Sequence, residues 1–328
     1  MTIKEFQEWF DVQFFALLEE KITEFSRHSD HDPIKTVLSY VTTFAQGGKR
    51  FRPYLLYVGY VSEGGEEEIF PFYAAIELLH LFCLVHDDVM DNEIVRHNAL
   101  TVHRHFEMVY KSVEMARAIA ILVGDILLAW AYECVEAVEQ IEPYTIDDAS
   151  RQFHVALSEV MHGQLLNILL QAEHNSPKEL IEQKMELKSA RYSFFHPLYI
   201  GMLLAGADEE VQSFVEDYAT NLGMAFQVQD DIADCAKDIE EHQQTVLSWF
   251  MRHEAGAADQ EQFEKHVGKE WSAEDEKKLM KLLEGSGAIA FAEHQAEEYF
   301  LAAEDAIFTH DKTGEEIWQE IIEMVKSK

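Results

Sequence analysis

One periodicity governs this chain. Apolar residues return every three or four positions almost from end to end, the spacing that gathers them on one face of an α-helix. Only 15 Gly and 6 Pro punctuate 328 residues, so turns are few and most of the chain must lie in long helices. No run alternates as a strand would, and no hairpin dipeptide stands between two such runs. The expected fold class is all-α. Breaks fall at Asp30–Pro33, Gly47–Pro53, Glu63–Gly65, Glu142–Pro143, Asn175–Pro177, Gly206–Asp208 and Gly285–Gly287, leaving about a dozen helical segments. Pro53 is expected to begin a helix, as are Thr145–Asp147–Asp148 and Ser176–Pro177, the latter with Pro at the first helical position. No fixed repeat and no Pro-, Gly- or Ser-rich linker divides the sequence, so one domain over residues 1–328 is the economical expectation, more polar from about residue 256 to 328.

Composition then excludes whole classes of function. Lys and Arg number 26 against 61 Asp and Glu, a formal charge of −35. Phosphate backbones need clustered cations, so a nucleic-acid partner is ruled out, and an anionic membrane surface is disfavoured. Hydrophobic residues at 48% are too many for a disordered acidic chain. Three cysteines without a CxxC exclude a disulfide scaffold and fit a reducing compartment. The N-terminal stretch MTIKEFQEWFDVQFFALLEE mixes acids with its aromatics, and Phe6, Phe10, Phe14, Leu17 and Leu18 recur at helical spacing. It reads as a core helix rather than a leader. The two longest apolar stretches are broken by Asp125, or by His196 and Pro197, so neither reads as a bilayer span. A cytoplasmic location is expected.

Two acidic clusters stand out from this background. In LLHLFCLVHDDVMDNE, Asp87, Asp88 and Asp91 follow an apolar helix; in LGMAFQVQDDIADCAKD, Asp230, Asp231 and Asp234 repeat the spacing. At 100° per residue, positions i and i+4 lie about 40° apart, so each pair of carboxylates shares a face. Such pairs repel on an ordinary helix, and polar helix ends at the surface are the plain alternative. Twice in one chain, each time beside core-like sequence, the pattern calls for a cation. Hard oxygen ligands suit Mg2+, an ion that keeps waters and bridges carboxylates to a phosphate.

A third element is GGKRFRP at Gly47–Pro53, with Lys49, Arg50 and Arg52 within four positions and no acid adjacent. Loose backbone N–H groups and cations together make an anion seat; a basic loop that balances neighbouring acids is the alternative. His80 precedes Asp87 by seven residues, about 20° away around the helix. Arg96 follows Asp91 by five residues, and Lys188 stands in ELKSARYSFFHPL before another apolar helix. The pocket expected from these parts is apolar at depth and charged at its mouth, a shape for an amphiphile with a diphosphate head and a hydrocarbon tail.

In the order GGKRFRP, ELLHLFCLVHDDVMD, GDILLAWA, HGQLLN, ELKSARYSFFHPLYIGMLLAG and FQVQDDIAD, from about Phe44 to Thr245, the chain resembles the trans-isoprenyl diphosphate synthases, or polyprenyl synthetases. The resemblance implies a bundle of antiparallel helices around a deep central cavity, assembled as a homodimer. It implies head-to-tail condensation of isopentenyl diphosphate onto an allylic diphosphate, with release of pyrophosphate. Asp87, Asp88, Asp91, Asp230, Asp231 and Asp234 would bind three Mg2+ ions. Lys49, Arg52 and His80 match the isopentenyl diphosphate site; Arg96 and Lys188 match positions that grip the allylic diphosphate, and Gln227 matches the polar member of an FQ pair. Leu79, Phe82 and Cys83, one or two turns before Asp87, would floor the tail cavity, which suggests a twenty-carbon product with shorter or longer ones open.

Four positions depart from the family pattern. His97 stands where a second arginine is usual and would contact isopentenyl diphosphate; Asn167 replaces an aspartate, and Ser189 a threonine. The segment DIEEHQQT is short, and Gln243 falls where a lysine is expected, so one cation is missing or is supplied from elsewhere, such as the C-terminal KSK. These departures leave open a second reading, a weakly active or non-catalytic subunit that partners another synthase. A cyclase on the same bundle would carry an Asn/Ser/Glu pattern, which DDIAD contradicts.

Overall fold

The structure is a computed structural model, and it describes residues 1–26, 33–208, 210–269 and 271–327. The expected break at Asp30–Pro33 lies, up to Pro33 itself, outside the described residues, as does Lys328 of the KSK terminus. The chain is all-α. Sixteen α-helices, one π-helical segment and one two-residue-by-two-residue hairpin are described, more and shorter helices than the sequence suggested. The described residues fall into two compact units: Met1–Tyr57 with Gly64–Ile146, and Val58–Glu63 with Asp147–Lys328.

In the first unit, α1 (Ile3–Phe25) opens with a capping box in which the Thr2 hydroxyl accepts from the Glu5 N–H and the Glu5 carboxylate accepts from the Thr2 N–H. Its buried stripe runs Phe6, Phe10, Phe14, Leu18, Ile22 at four-residue steps, with the first three rings stacked in series. Helices α2 (Pro33–Phe44) and α3 (Phe51–Ser62) follow, α3 from Val58 onward being counted with the second unit; α3 starts at Phe51, so Pro53 sits inside the first turn rather than at its start. Helix α4 (Phe70–Met90) packs along α6 (Val113–Glu136), with α5 (Val102–Tyr110) beside α6. By length and apolarity alone both α4 and α6 could cross a bilayer. Here α4 buries most of its apolar window against its neighbours.

Between α4 and α5 lies the hairpin, β1 (Val95–Arg96) paired antiparallel with β2 (Ala99–Leu100). Its turn residues His97 and Asn98 have φ of 47° and 66°, the twist that a two-residue hairpin turn requires. Neither strand is long enough to alternate, so periodicity carries no sign of the hairpin.

The second unit holds α7 (Pro143–Gln171), α8 (Lys178–Met185), the π-helical segment Glu186–Phe195, α9 (His196–Leu204) and α10 (Glu210–Ala233). It continues with α11 (Cys235–Glu240), α12 (Val246–His253), α13 (Ala257–Glu264), α14 (Ala273–Ser286), α15 (Ala288–Thr309) and α16 (Glu316–Lys326). Helix α7 begins at Pro143, two residues before the expected Thr145, and Pro177 is the N-cap of α8 rather than its first residue. The π segment passes between α7 and α10 at two glycines. A Cβ on Gly163 would lie 2.4 Å from the Lys188 nitrogen, and one on Gly223 would lie 2.5 Å from the Ala190 Cα. Any larger side chain at either place would push the segment away.

One half-buried charge network braces this packing. Glu159 on α7 accepts from Arg191 Nε at 2.7 Å and from His196 Nε2 at 2.8 Å, while Arg191 also pairs with Glu216. Gln152 donates to His196 Nδ1 at 2.8 Å, fixing the imidazole with its proton on Nε2. Against the cost of desolvation, the hydrogen bonds from His196 and Arg191 hold the Glu159 carboxyl down at about 2. A folded value below the unfolded one adds stability that is complete above about pH 4.5 and fades as the pH falls toward 2. Glu159→Gln should therefore cost about 2–3 kcal/mol near neutrality, and denaturant titrations should show the gap between parent and variant closing from pH 5 to pH 3. A gap independent of pH would contradict the assignment.

Candidate active site

The first cluster is made by the end of α4. Asp87 and Asp88 occupy its last turn and Asp91 is the C-cap, its N–H donating to the Asp87 carbonyl at 2.8 Å. Asp88 is fully buried, while Asp87 and Asp91 are half-buried. Arg96, from β1, reaches back to Asp88 Oδ1 with Nε and Nη2, both at 2.7 Å. The other oxygen, Asp88 Oδ2, is buried without a hydrogen-bond partner. Burial lifts the Asp88 carboxyl to about 6 despite Arg96, and the neighbouring charge of Asp87 adds to the lift. Such an oxygen is costly to leave idle, and a divalent cation would satisfy it.

Beside it the structure brings Arg52 and His80 together: Arg52 Nη1 lies 3.1 Å from His80 Nε2. A guanidinium can only donate, so His80 accepts through Nε2 and is neutral. Burial, then the charges of Arg52, Arg96 and Arg50, hold the imidazole well below its ordinary range. Lys49 is exposed on the adjoining loop. His97 is exposed at the hairpin turn, and its Cβ lies over Gly47, where an added Cβ would approach to 3.3 Å. The hairpin and the basic loop thus abut through that glycine.

One expectation fails here. Arg50 is not a free cation of the loop: it is buried, donates Nε to Asp11 at 2.7 Å and Nη1 to Glu77 at 2.6 Å, and gives Nη2 to the Ala45 carbonyl. Acids adjacent in space, though absent from the local sequence, neutralise it. The anion seat rests on Lys49, Arg52 and His80.

On the same helix Leu79 and Phe82 are buried and Cys83 is half-buried. The Phe82 ring meets His86 edge-on with centroids 4.7 Å apart. His86 in turn bonds the Ile121 carbonyl at 3.0 Å and fills the space over Gly124, where a Cβ would come within 2.3 Å of the imidazole. The two rings pack edge to face against α6, Phe82 five residues and His86 one residue before Asp87.

The second cluster lines a cavity of about 190 Å3 in the other unit. Asp230 and Asp231 lie in the last turn of α10, and Asp234, exposed, is the N-cap of α11. Gln227 Nε2 donates to Asp231 Oδ1 at 2.7 Å, leaving Asp231 Oδ2 buried and unpaired, the counterpart of Asp88 Oδ2. Burial raises Asp231 to about 6, against the pull of Lys184 and Gln227. Lys188 and Ser189 reach the cavity from the π segment, a distortion that often marks functional sites. Asn167 and Gln243 line it too, so three of the four departures from the family pattern meet in one place.

Sequence reasoning missed Lys184 and Asp238, which also line this cavity. Their positions, four residues before Lys188 and four after Asp234, were visible as further turns of the same helical stripes. The C-terminal KSK does not serve as the spare cation through Lys326, whose Nζ is 2.8 Å from Glu304. A larger open groove of about 860 Å3 lies along α15 and α16, but its lining has four glutamates and no basic residue, the wrong chemistry for an anion.

Among the described residues no three His, Cys, Asp or Glu side chains form a ready metal cage. The clusters offer instead hard carboxylate oxygens, two of them idle, beside cations. That donor set fits an ion such as Mg2+, which completes its shell with water and phosphate. The residues placed to hold it are Asp87, Asp88 and Asp91, and Asp230, Asp231 and Asp234.

The sequence matches the polyprenyl synthetase family over residues 31–283. It is 33% identical over 193 residues to a short chain isoprenyl diphosphate synthase of Methanocaldococcus jannaschii, covering 58% of this chain and 55% of that protein. It is 34% identical over 208 residues to a geranylgeranyl diphosphate synthase of Sulfolobus acidocaldarius, covering 62% and 60%. The matched stretch thus spans little more than half of these relatives. In fold it is similar to the geranylgeranyl pyrophosphate synthase of Corynebacterium glutamicum complexed with isoprenyl diphosphate and magnesium, with a TM-score of 0.82, 22% identity, and 91% and 92% of the two chains covered.

The Arg52–His80 contact makes a direct prediction. His80 should titrate well below free histidine by NMR, and Arg52→Met should move it upward, because removing a cation makes the imidazolium easier to form. An unchanged titration in the variant would separate the two side chains.

Proposed function

The chain belongs to the polyprenyl synthetase family, and from that premise we propose that it is a Mg2+-dependent prenyltransferase condensing isopentenyl diphosphate onto an allylic diphosphate. The observation that carries the reading is the pair of buried aspartates, Asp88 and Asp231, each with one oxygen satisfied and one idle. In this reading the six aspartates bind three Mg2+ ions that hold the allylic diphosphate. Bound Mg2+ would neutralise the charge that gathers on the departing pyrophosphate.

The protein's own groups account for the rest. Arg96 holds Asp88 in place by its two contacts to Oδ1; Lys188 meets the diphosphate, and Gln227 orients Asp231. Lys49, Arg52 and His80, with His97 at the rim, take isopentenyl diphosphate, with the guanidinium of Arg52, beside a neutral His80, as the group that suits phosphate oxygens. Apolar walls shelter an allylic cation from water. Leu79, Phe82 and Cys83 limit the tail, with the Phe82–His86 stack as the floor, which favours a twenty-carbon product. The whole chain acts as one catalytic domain in the cytoplasm. Exposed Met115, Ile121 and Leu122 on α6, and exposed Met161, Leu165 and Leu169 on α7, give each helix an apolar outer stripe suited to a second copy of the chain.

The assay is purified protein with Mg2+, labelled isopentenyl diphosphate and allylic diphosphates of several lengths. Elongated product is expected. Product formed only after a partner chain is added would favour the subunit reading, to which His97, Asn167 and Gln243 point. Asp87→Ala and Asp230→Ala should each lower turnover roughly a thousandfold or more with the fold retained; near-normal turnover in either would remove that cluster from the chemistry. Phe82→Ala should lengthen the product, and an unchanged distribution would show that the floor lies elsewhere.

A further inference from the structure

We propose that Lys184 is a positioning residue of the second cluster, a buried cation that fixes Asp231 and the 241–245 turn for a metal-bound diphosphate in place of a cation on the turn itself. The inference rests on the reading of this cavity as a diphosphate site.

Lys184 lines the cavity and is only 7% exposed. Its Nζ donates to the Gln244 carbonyl at 2.7 Å. One neutral acceptor cannot offset the removal of an ammonium from water, which costs several kcal/mol. The charges that act on it in compensation are those of Asp231 and Asp238. Two lysines against four aspartates leave the cavity lining a formal charge of −2, a surplus suited to divalent cations. Without Lys184 the surplus would grow and the buried Asp231 carboxylate would lose a positive charge that acts on it.

The same ammonium ties down the turn. Gln244, whose carbonyl it holds, donates Nε2 to the Glu173 carbonyl at 3.1 Å and accepts from Arg252 Nη1 at 2.9 Å. The Gln243 N–H donates to the Asp238 carbonyl at 2.7 Å. Lys184 therefore joins α8, the end of α11 and the turn that carries Gln243 into the cavity. At position 243 a neutral amide stands, and at 167 another, with Asn167 Nδ2 buried and unpaired. The positive charge that a longer turn could bring from outside is built here into the wall.

The test is a double-mutant cycle read by calorimetry with Mg2+ and inorganic pyrophosphate, backed by thermal unfolding. Lys184→Met should weaken pyrophosphate binding at least tenfold, and Gln243→Lys should recover much of that loss. In the parent background Gln243→Lys should give a markedly smaller gain, so the two positions couple. Should Lys184→Met fail to fold, Lys184→Gln carries the same cycle. Binding in the Lys184 variant within twofold of the parent, or an equal effect of Gln243→Lys in both backgrounds, would overturn the assignment. A parent protein that does not bind Mg2+ and pyrophosphate at all would overturn the diphosphate reading as well, so the two failures are told apart.

Discussion

Each aspartate cluster puts one carboxylate where water cannot reach it and satisfies only half of it. Asp88 is held by Arg96 and Asp231 by Gln227, each through Oδ1, and each keeps a buried Oδ2 with no partner. Leaving such an oxygen idle costs on the order of 1–3 kcal/mol, and burial drives both carboxyls up to about 6. The penalty falls twice, at the same position of a repeated motif, and a bound cation, as proposed, would remove it in both places.

The helices serve that requirement. The hairpin at Val95–Leu100 exists to turn Arg96 back onto Asp88, and its His97 seats on Gly47 of the basic loop. In the other unit the π segment runs between Gly163 and Gly223, whose missing side chains let its backbone come close enough to bring Lys188 to the cavity. The ion network around Glu159 locks that segment through Arg191. Rigid packing behind reactive groups is what preorganised electrostatics needs.

Local pattern made much of this legible. Helical periodicity gave the fold class and the α1 stripe of Phe6, Phe10 and Phe14; spacing gave both aspartate triplets and aligned His80 with them. What escaped depends on contacts between distant residues. Arg50 looked like part of an anion seat because its partners, Asp11 and Glu77, lie 39 and 27 residues away. The helix-distorting π segment has no composition of its own, and the His97–Asn98 turn is too short to leave a periodic trace. Lys184 lies one turn before Lys188 on the same stripe, but a lysine on a helix is ordinarily solvated, and burial against Gln244 is what marks it as a site residue.

A formal charge of −35 should slow the approach of any diphosphate, so under the proposed function divalent cations would have to screen the site for its ligand as well as assist the chemistry. The most direct measurement is the affinity of the intact protein for a non-reactive allylic diphosphate analogue with Mg2+ present and after its removal by chelation. The account predicts strong binding with the metal and its loss without it. Equal affinity in the two conditions would contradict the claim that the buried aspartates await a cation.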